Sequence, residues 1–178
     1  MKALFIIAFR DFQDIEFLKT KEVLEKAEIE IDVASTQKGL AKGTFGATYK
    51  VSYLLDEVYQ KLDEYDAVVF IGGAGTPSVR SKSRSVDIAK KAFELNKLVC
   101  AICWAPTILA KAGILKNKQA TVWLGLDSEY AKATNEVLEQ YGADFVNEDV
   151  VIDKNIITAN GAQSAEQFGN AIVKYLNK

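Results

Sequence analysis

The chain has 178 residues, of which 49% are hydrophobic and 26% charged, with a formal net charge of -2, two cysteines and no histidine. These totals fit one domain, residues 1–178, large enough to bury a substantial core. They exclude a strongly basic nucleic-acid surface, and they leave too few histidines and cysteines for a structural zinc site, so no metal or cofactor is expected.

The opening run MKALFIIAF is short, is followed at once by Arg10 and Asp11, and lacks a small-residue cleavage site. It predicts a buried strand over residues 3–8, not a signal peptide. Residues 14–27 read as a helix with Ile15, Leu18 and Val23 on its apolar face. A second strand follows over 29–34, then a loop over 39–46, a short strand over 48–51 and a short helix over 55–62. DAVVFI, residues 66–71, is a buried strand closed by Gly72 and Gly73. The basic run from Arg80 to Arg84 reads as the solvated start of a helix that continues over 86–95. Residues 98–102 form another strand. A helix over 106–112 carries Pro106 in its first turn, where a missing N–H costs nothing, and ends at Gly113. Beyond it come a strand over 120–124, a helix over 128–141, a hairpin of 150–153 with 156–159 across Lys154-Asn155, and a closing helix over 165–176. No stretch reaches the length of a transmembrane helix, so no membrane partner is expected.

Strands alternating with helices predict a three-layer, flavodoxin-like α/β sandwich around a mainly parallel sheet. In such sheets, sites form beyond the carboxyl ends of the strands. Three turns qualify: residues 9–16, 72–77 and 103–107.

The stretch VCAICWAP places Cys100 and Cys103 three apart. Three strand residues span about 10 Å, whereas a disulfide needs Cα atoms closer than about 7 Å. The two side chains also point to opposite faces. Cys100 therefore reads as a small buried hydrophobe. Two free cysteines suit a reducing cytoplasm. Cys103 stands where a strand stops and a helix begins, which is the nucleophile-elbow position with cysteine in place of serine. A helix N-terminus there lowers a thiol pKa. A structural thiol buried at a loop is the other reading of the same pattern.

AFRDFQDIEF (8–17), DAVVFIGGAGTPSVR (66–80) and VCAICWAPTILAKAGILKNKQAT (99–121) resemble the ThiJ/PfpI superfamily, as do VVIDKNIITANG and AEQFGNAIVKYL further on. The resemblance runs in order over essentially the whole chain. It implies that Cys103 is the elbow cysteine and that Glu16 is the acid hydrogen-bonded to it. It implies a pocket at Gly72 and Gly73, with the N–H groups of Gly73 and Trp104 as oxyanion donors, and it implies a homodimer. The chain also departs from the superfamily's patterns. PfpI-like peptidases have histidine directly after the nucleophile, where Trp104 stands, and glutamate where Ser78 stands. The deglycase-like branch has histidine at the position of Trp123. With neither imidazole, a Cys-His mechanism is excluded for this chain. Trp104 and Trp123 either narrow and dry the pocket or pack in a core or interface.

These readings leave an enzyme of the glyoxalase or deglycase kind acting on small reactive carbonyls, or a thiol-based responder to oxidative stress. A non-catalytic small-ligand module and a PfpI-like intracellular peptidase are the alternatives. The expected partner is a small-molecule carbonyl or an oxidant. As a carboxylate, Glu16 would repel a Cys103 thiolate and raise its pKa; as a neutral acid with its own pKa raised by burial, it would donate a hydrogen bond to the thiolate and stabilise it.

Overall fold

The computed structural model describes residues 1–178. Seven strands form the central sheet: β1 (Lys2–Ile6), β2 (Glu30–Ser35), β3 (Tyr53–Leu54), β4 (Ala67–Phe70), β5 (Leu98–Ile102), β6 (Val150–Asp153) and β7 (Ile156–Ala159). Their order is β6-β7-β5-β4-β1-β2-β3, and every neighbouring pair is parallel except the β6–β7 hairpin. All residues of β4 and β5 are buried. Their unbroken apolar runs, AVVF and LVCAI, are what parallel strands covered on both faces require. Helices α1 (Asp14–Lys26), α2 (Leu55–Tyr59), α3 (Thr76–Arg80), α4 (Ser83–Glu94), α5 (Pro106–Lys111), α6 (Thr134–Gln140) and α7 (Ala165–Leu176) flank it. α1 packs on α7, while α4 packs with α2 and α5. This is the expected α/β sandwich with a mainly parallel sheet. No helix is long and apolar enough to cross a membrane.

Five local expectations are corrected. α1 turns a different face inward: it buries Asp14, Glu16, Phe17, Thr20 and Leu24, and leaves Ile15 and Leu18 at 50% and 52% exposure. Phe17 sets this rotation by packing edge-on against Phe5, Phe12 and Tyr49. Val23 remains partly buried against Gly169 of α7, where a Cβ would stand 2.9 Å from the Val23 Cβ.

Within the expected loop 39–46, Gly39–Gly43 is a strand. It pairs antiparallel with Thr48–Val51 and parallel with Arg10–Phe12. Of residues 120–124, Ala120 alone is in a strand, Gln119–Ala120, which pairs with Asp144–Phe145. The expected helix 128–141 shrinks to α6 and is preceded by a hairpin of Leu126–Asp127 with Lys132–Ala133. The Asp127 carboxylate accepts the N–H groups of Glu129 and Tyr130 at 3.1 and 3.4 Å. Such local bonds favour a turn over a helix. Arg80, expected in solvent, is completely buried.

Candidate active site

Three loops meet at the carboxyl ends of β1, β4 and β5. Cys103 directly follows β5 with φ at 63°, in the left-handed region that side chains rarely adopt. Its N–H donates to the Ala159 carbonyl and its own carbonyl accepts from the Trp123 N–H, both at 2.9 Å. These two long-range bonds hold the turn, and Pro106 opens α5 three residues on. Cys100 lies inside β5, completely buried, where burial raises its thiol well above the ordinary range. Both cysteines are free thiols.

Glu16 arrives from the first turn of α1. The Gln13 side chain caps that turn by accepting the N–H groups of Ile15 and Glu16 at 2.6 and 3.3 Å. Glu16 is 1% exposed, hydrogen-bonds Cys103 and accepts the Gly72 N–H at 3.2 Å. Gly72 lies behind this pair and does not line the cavity in front of it. A Cβ on Gly72 would stand 2.7 Å from both the Cys103 Cβ and the Ile102 carbonyl oxygen. Gly73, with φ at 121°, also has no room for a side chain, because Asp11 and Gln13 backbone atoms occupy it. The N–H groups of Gly73 and Trp104 lie near enough to the Cys103 sulfur to favour its anionic form. Gly72→Ala is expected to cost about 1–3 kcal/mol in urea unfolding, as overpacking does, and to slow Cys103 alkylation. An unchanged alkylation rate would show that the close approach is not needed.

Burial pushes the Glu16 carboxyl up to about 7, against the hydrogen bonds from Cys103 and Gly72. Burial, the Glu16 charge and the Glu16 hydrogen bond raise the Cys103 thiol above its ordinary range, while the Trp104 and Gly73 N–H groups oppose this. Groups this close titrate together. Near pH 7 the first of the pair's two protons is in exchange.

In front of the pair lies an open cavity of about 330 Å³ that no lysine or arginine lines. It brings together Cys103, Glu16, Gly73, Trp104 and Trp123. The sequence reading missed Thr44 and Phe45 from the loop after Gly39–Gly43, and Gly161 to Gln163 after β7. The second of these was findable, since β7 also ends at this edge of the sheet and is followed by the turn residues Asn160-Gly161. No group of acidic and cysteine side chains is arranged to hold a metal ion.

A buried ionic cluster supports the site from behind. Trp104 Nε1 donates to Asp127 at 2.7 Å. Arg80 clamps the same carboxylate with bonds of 2.5 and 2.9 Å, reaches Thr107 at 2.8 Å and pairs with Glu129 at 2.7 Å. Its guanidinium also lies 4.7 Å from the Tyr130 ring centre.

The fold is that of an α/β protein with a mainly parallel sheet, and a free thiol with φ at 63° stands beside a buried acid at the carboxyl edge of that sheet. The chain belongs to the DJ-1/PfpI family, whose model matches residues 1–175. It is 34% identical to the Deglycase PfpI of Pyrococcus furiosus over 176 residues, covering 99% of each chain. An uncharacterized protein of Methanocaldococcus jannaschii is 35% identical over 178 residues, covering 99% of this chain and 83% of the relative. The crystal structure of a ThiJ/PfpI domain protein from Brachyspira murdochii superposes with a TM-score of 0.90 at 32% identity, covering 99% of this chain and 96% of that one.

Proposed function

We propose that this protein acts on small reactive carbonyl compounds through Cys103, as a glyoxalase- or deglycase-type enzyme of the cytoplasm. The observation that carries this reading is the contact between the Cys103 thiol and the buried carboxyl of Glu16, with two N–H groups near the sulfur. With Glu16 protonated, its O–H donates to the thiolate. The sulfur then adds to an aldehyde carbon, the carbonyl π pair moves to oxygen, and the Glu16 proton passes to that oxygen. The product is a hemithioacetal beside an ionised Glu16, which is ready to take up the next proton. One carboxyl serves as acid and then as base, so no imidazole is needed. The names of the deglycase relatives are in keeping with this chemistry.

The test is the alkylation rate of each cysteine against pH, resolved by peptide mass spectrometry, together with turnover of methylglyoxal. Cys103 alkylation that rises below the ordinary thiol value of about 8.5 would support this reading, against the burial and the Glu16 charge that raise the thiol. Glu16→Leu should move that step to higher pH, and Cys103→Ser should abolish turnover. A Glu16→Leu thiol that titrates lower than in the intact protein would place the charge on Glu16 and refute the assignment. Absence of turnover in the intact protein would end the catalytic reading.

The N–H groups near the sulfur favour a second reading, oxidative-stress response. They would stabilise any anionic sulfur, including the sulfinate that peroxide forms from a thiolate in two oxygen transfers. Mild peroxide should then oxidise Cys103 and spare Cys100. Equal oxidation of both would count against this role.

A further inference from the structure

The cavity in front of Cys103 is aromatic on one side. Trp104 and Trp123 pack with ring centres 5.5 Å apart and planes inclined by 40°. Phe45 lines the same cavity with 76% of its surface exposed. The Trp104 indole and the Trp123 backbone are each held in place. Trp104 is tied through its Nε1 to Asp127, which Arg80 clamps. Trp123 donates its N–H to Cys103, accepts the Thr134 hydroxyl at its carbonyl, and lays its ring against Gly125, where any Cβ would collide with it.

The charges around these rings are predominantly negative. No lysine or arginine lines the cavity. Arg80, behind Trp104, is already answered by two carboxylates, Asp127 and Glu129. Glu16 contributes a further carboxyl at the floor, and the Gly73 and Trp104 N–H groups lie near the sulfur. A ligand carboxylate would therefore give up part of its hydration without gaining a cation. A flat apolar group loses nothing of this kind and gains contact with the aromatic rings. The volume, near the lower end of the range of about 300–1,000 Å³ for ligand pockets, suits a single ring.

We propose that this site takes a neutral carbonyl compound with a flat aromatic substituent lying against Trp104 and Trp123, and rejects compounds of similar shape that carry a carboxylate. The carbonyl part rests on the proposed function; the aromatic and charge preferences are binding properties that stand apart from turnover.

Benzamide and benzoate test it, because they share a shape, differ in charge and do not react with a thiol. In NMR titrations of the reduced protein, benzamide should bind at least about tenfold more tightly than benzoate, a difference of about 1.4 kcal/mol. Trp123→Ala should weaken benzamide severalfold, and Trp123→Phe should retain most of the affinity. Benzoate binding as tightly as benzamide, benzamide binding unaffected by Trp123→Ala, or failure of benzamide to bind would overturn the inference. A protein that prefers benzamide while Cys103 proves inert would end the proposed catalysis and leave this inference standing. An armed Cys103 in a cavity that does not discriminate would do the reverse.

Discussion

Arg80→Met is expected to lower the free energy of unfolding by about 3–5 kcal/mol, the usual cost of removing one partner from a buried ion pair. Arg80 and Asp127 are both 0% exposed, and two guanidinium nitrogens bond the carboxylate. Removing the guanidinium leaves Asp127 charged, buried and paired only with the Trp104 indole and two backbone N–H groups. The melting temperature should fall by roughly 10 °C for a domain of this size. Burial alone would push the Asp127 carboxyl up, but the Arg80 and Trp104 hydrogen bonds and the Arg80 charge hold it below the ordinary value. A depressed pKa contributes stability that is present above the unfolded value and is lost as pH falls through the folded one. The deficit of Arg80→Met should therefore be largest near neutral pH and shrink in acid. Adding Asp127→Asn should recover part of the loss while keeping an acceptor for Trp104. A loss below about 1 kcal/mol, typical of an exposed pair, would contradict the burial of this cluster.

Glu16→Gln is expected to stabilise the protein near pH 8 by about 3 kcal/mol and to change little near pH 4. The Glu16 carboxyl rises from 4.5 to about 7 on folding, chiefly through burial. Every tenfold gain in proton affinity on folding is worth about 1.4 kcal/mol. A carboxyl that binds its proton more tightly when folded supports the fold below about pH 4.5, and this support is lost as pH rises through about 7. At higher pH the chain carries a buried charge as a standing cost. Glutamine keeps the shape and an acceptor for the Gly72 N–H but never ionises. Urea unfolding at the two pH values measures the difference. Equal effects at both would mean that Glu16 is not desolvated. This cost of ionisation is the same property that keeps a proton beside Cys103 near neutrality, so stability and the proposed chemistry pull in opposite directions at this residue.

Much of the site was legible because its signals are local. The runs DAVVFI and LVCAI are apolar without interruption after their first residues, and each ends at residues that stop a strand, Gly72-Gly73 in one case and Cys103 ahead of Pro106 in the other. The strand Leu98–Ile102, the hairpin of Val150–Asp153 with Ile156–Ala159 and the helix Ala165–Leu176 have the expected limits. The loop carrying Phe45 gave no such signal. It reaches the cavity because Asp14 accepts the N–H groups of Phe45 and Ala47 at 3.0 and 2.7 Å, from more than thirty residues away in the chain.

By itself the sequence determined the alternation of strands and helices, the turns that carry Cys103 and Glu16 to one edge of the sheet, and the lack of any imidazole to serve them. Hydrophobic period and chain-breaking residues act over a few positions, so they can be read without partners. Tertiary structure alone decided that α1 turns Glu16 inward and Ile15 outward, that Arg80 is buried with Asp127, and that two tryptophans form the cavity wall. Each of these depends on a contact between distant segments: Phe17 against Phe5 and Tyr49, Arg80 against Asp127, Trp123 against Cys103. A charged or polar residue goes inside only where the fold supplies its partner, and that partner is set by the packing of the whole chain.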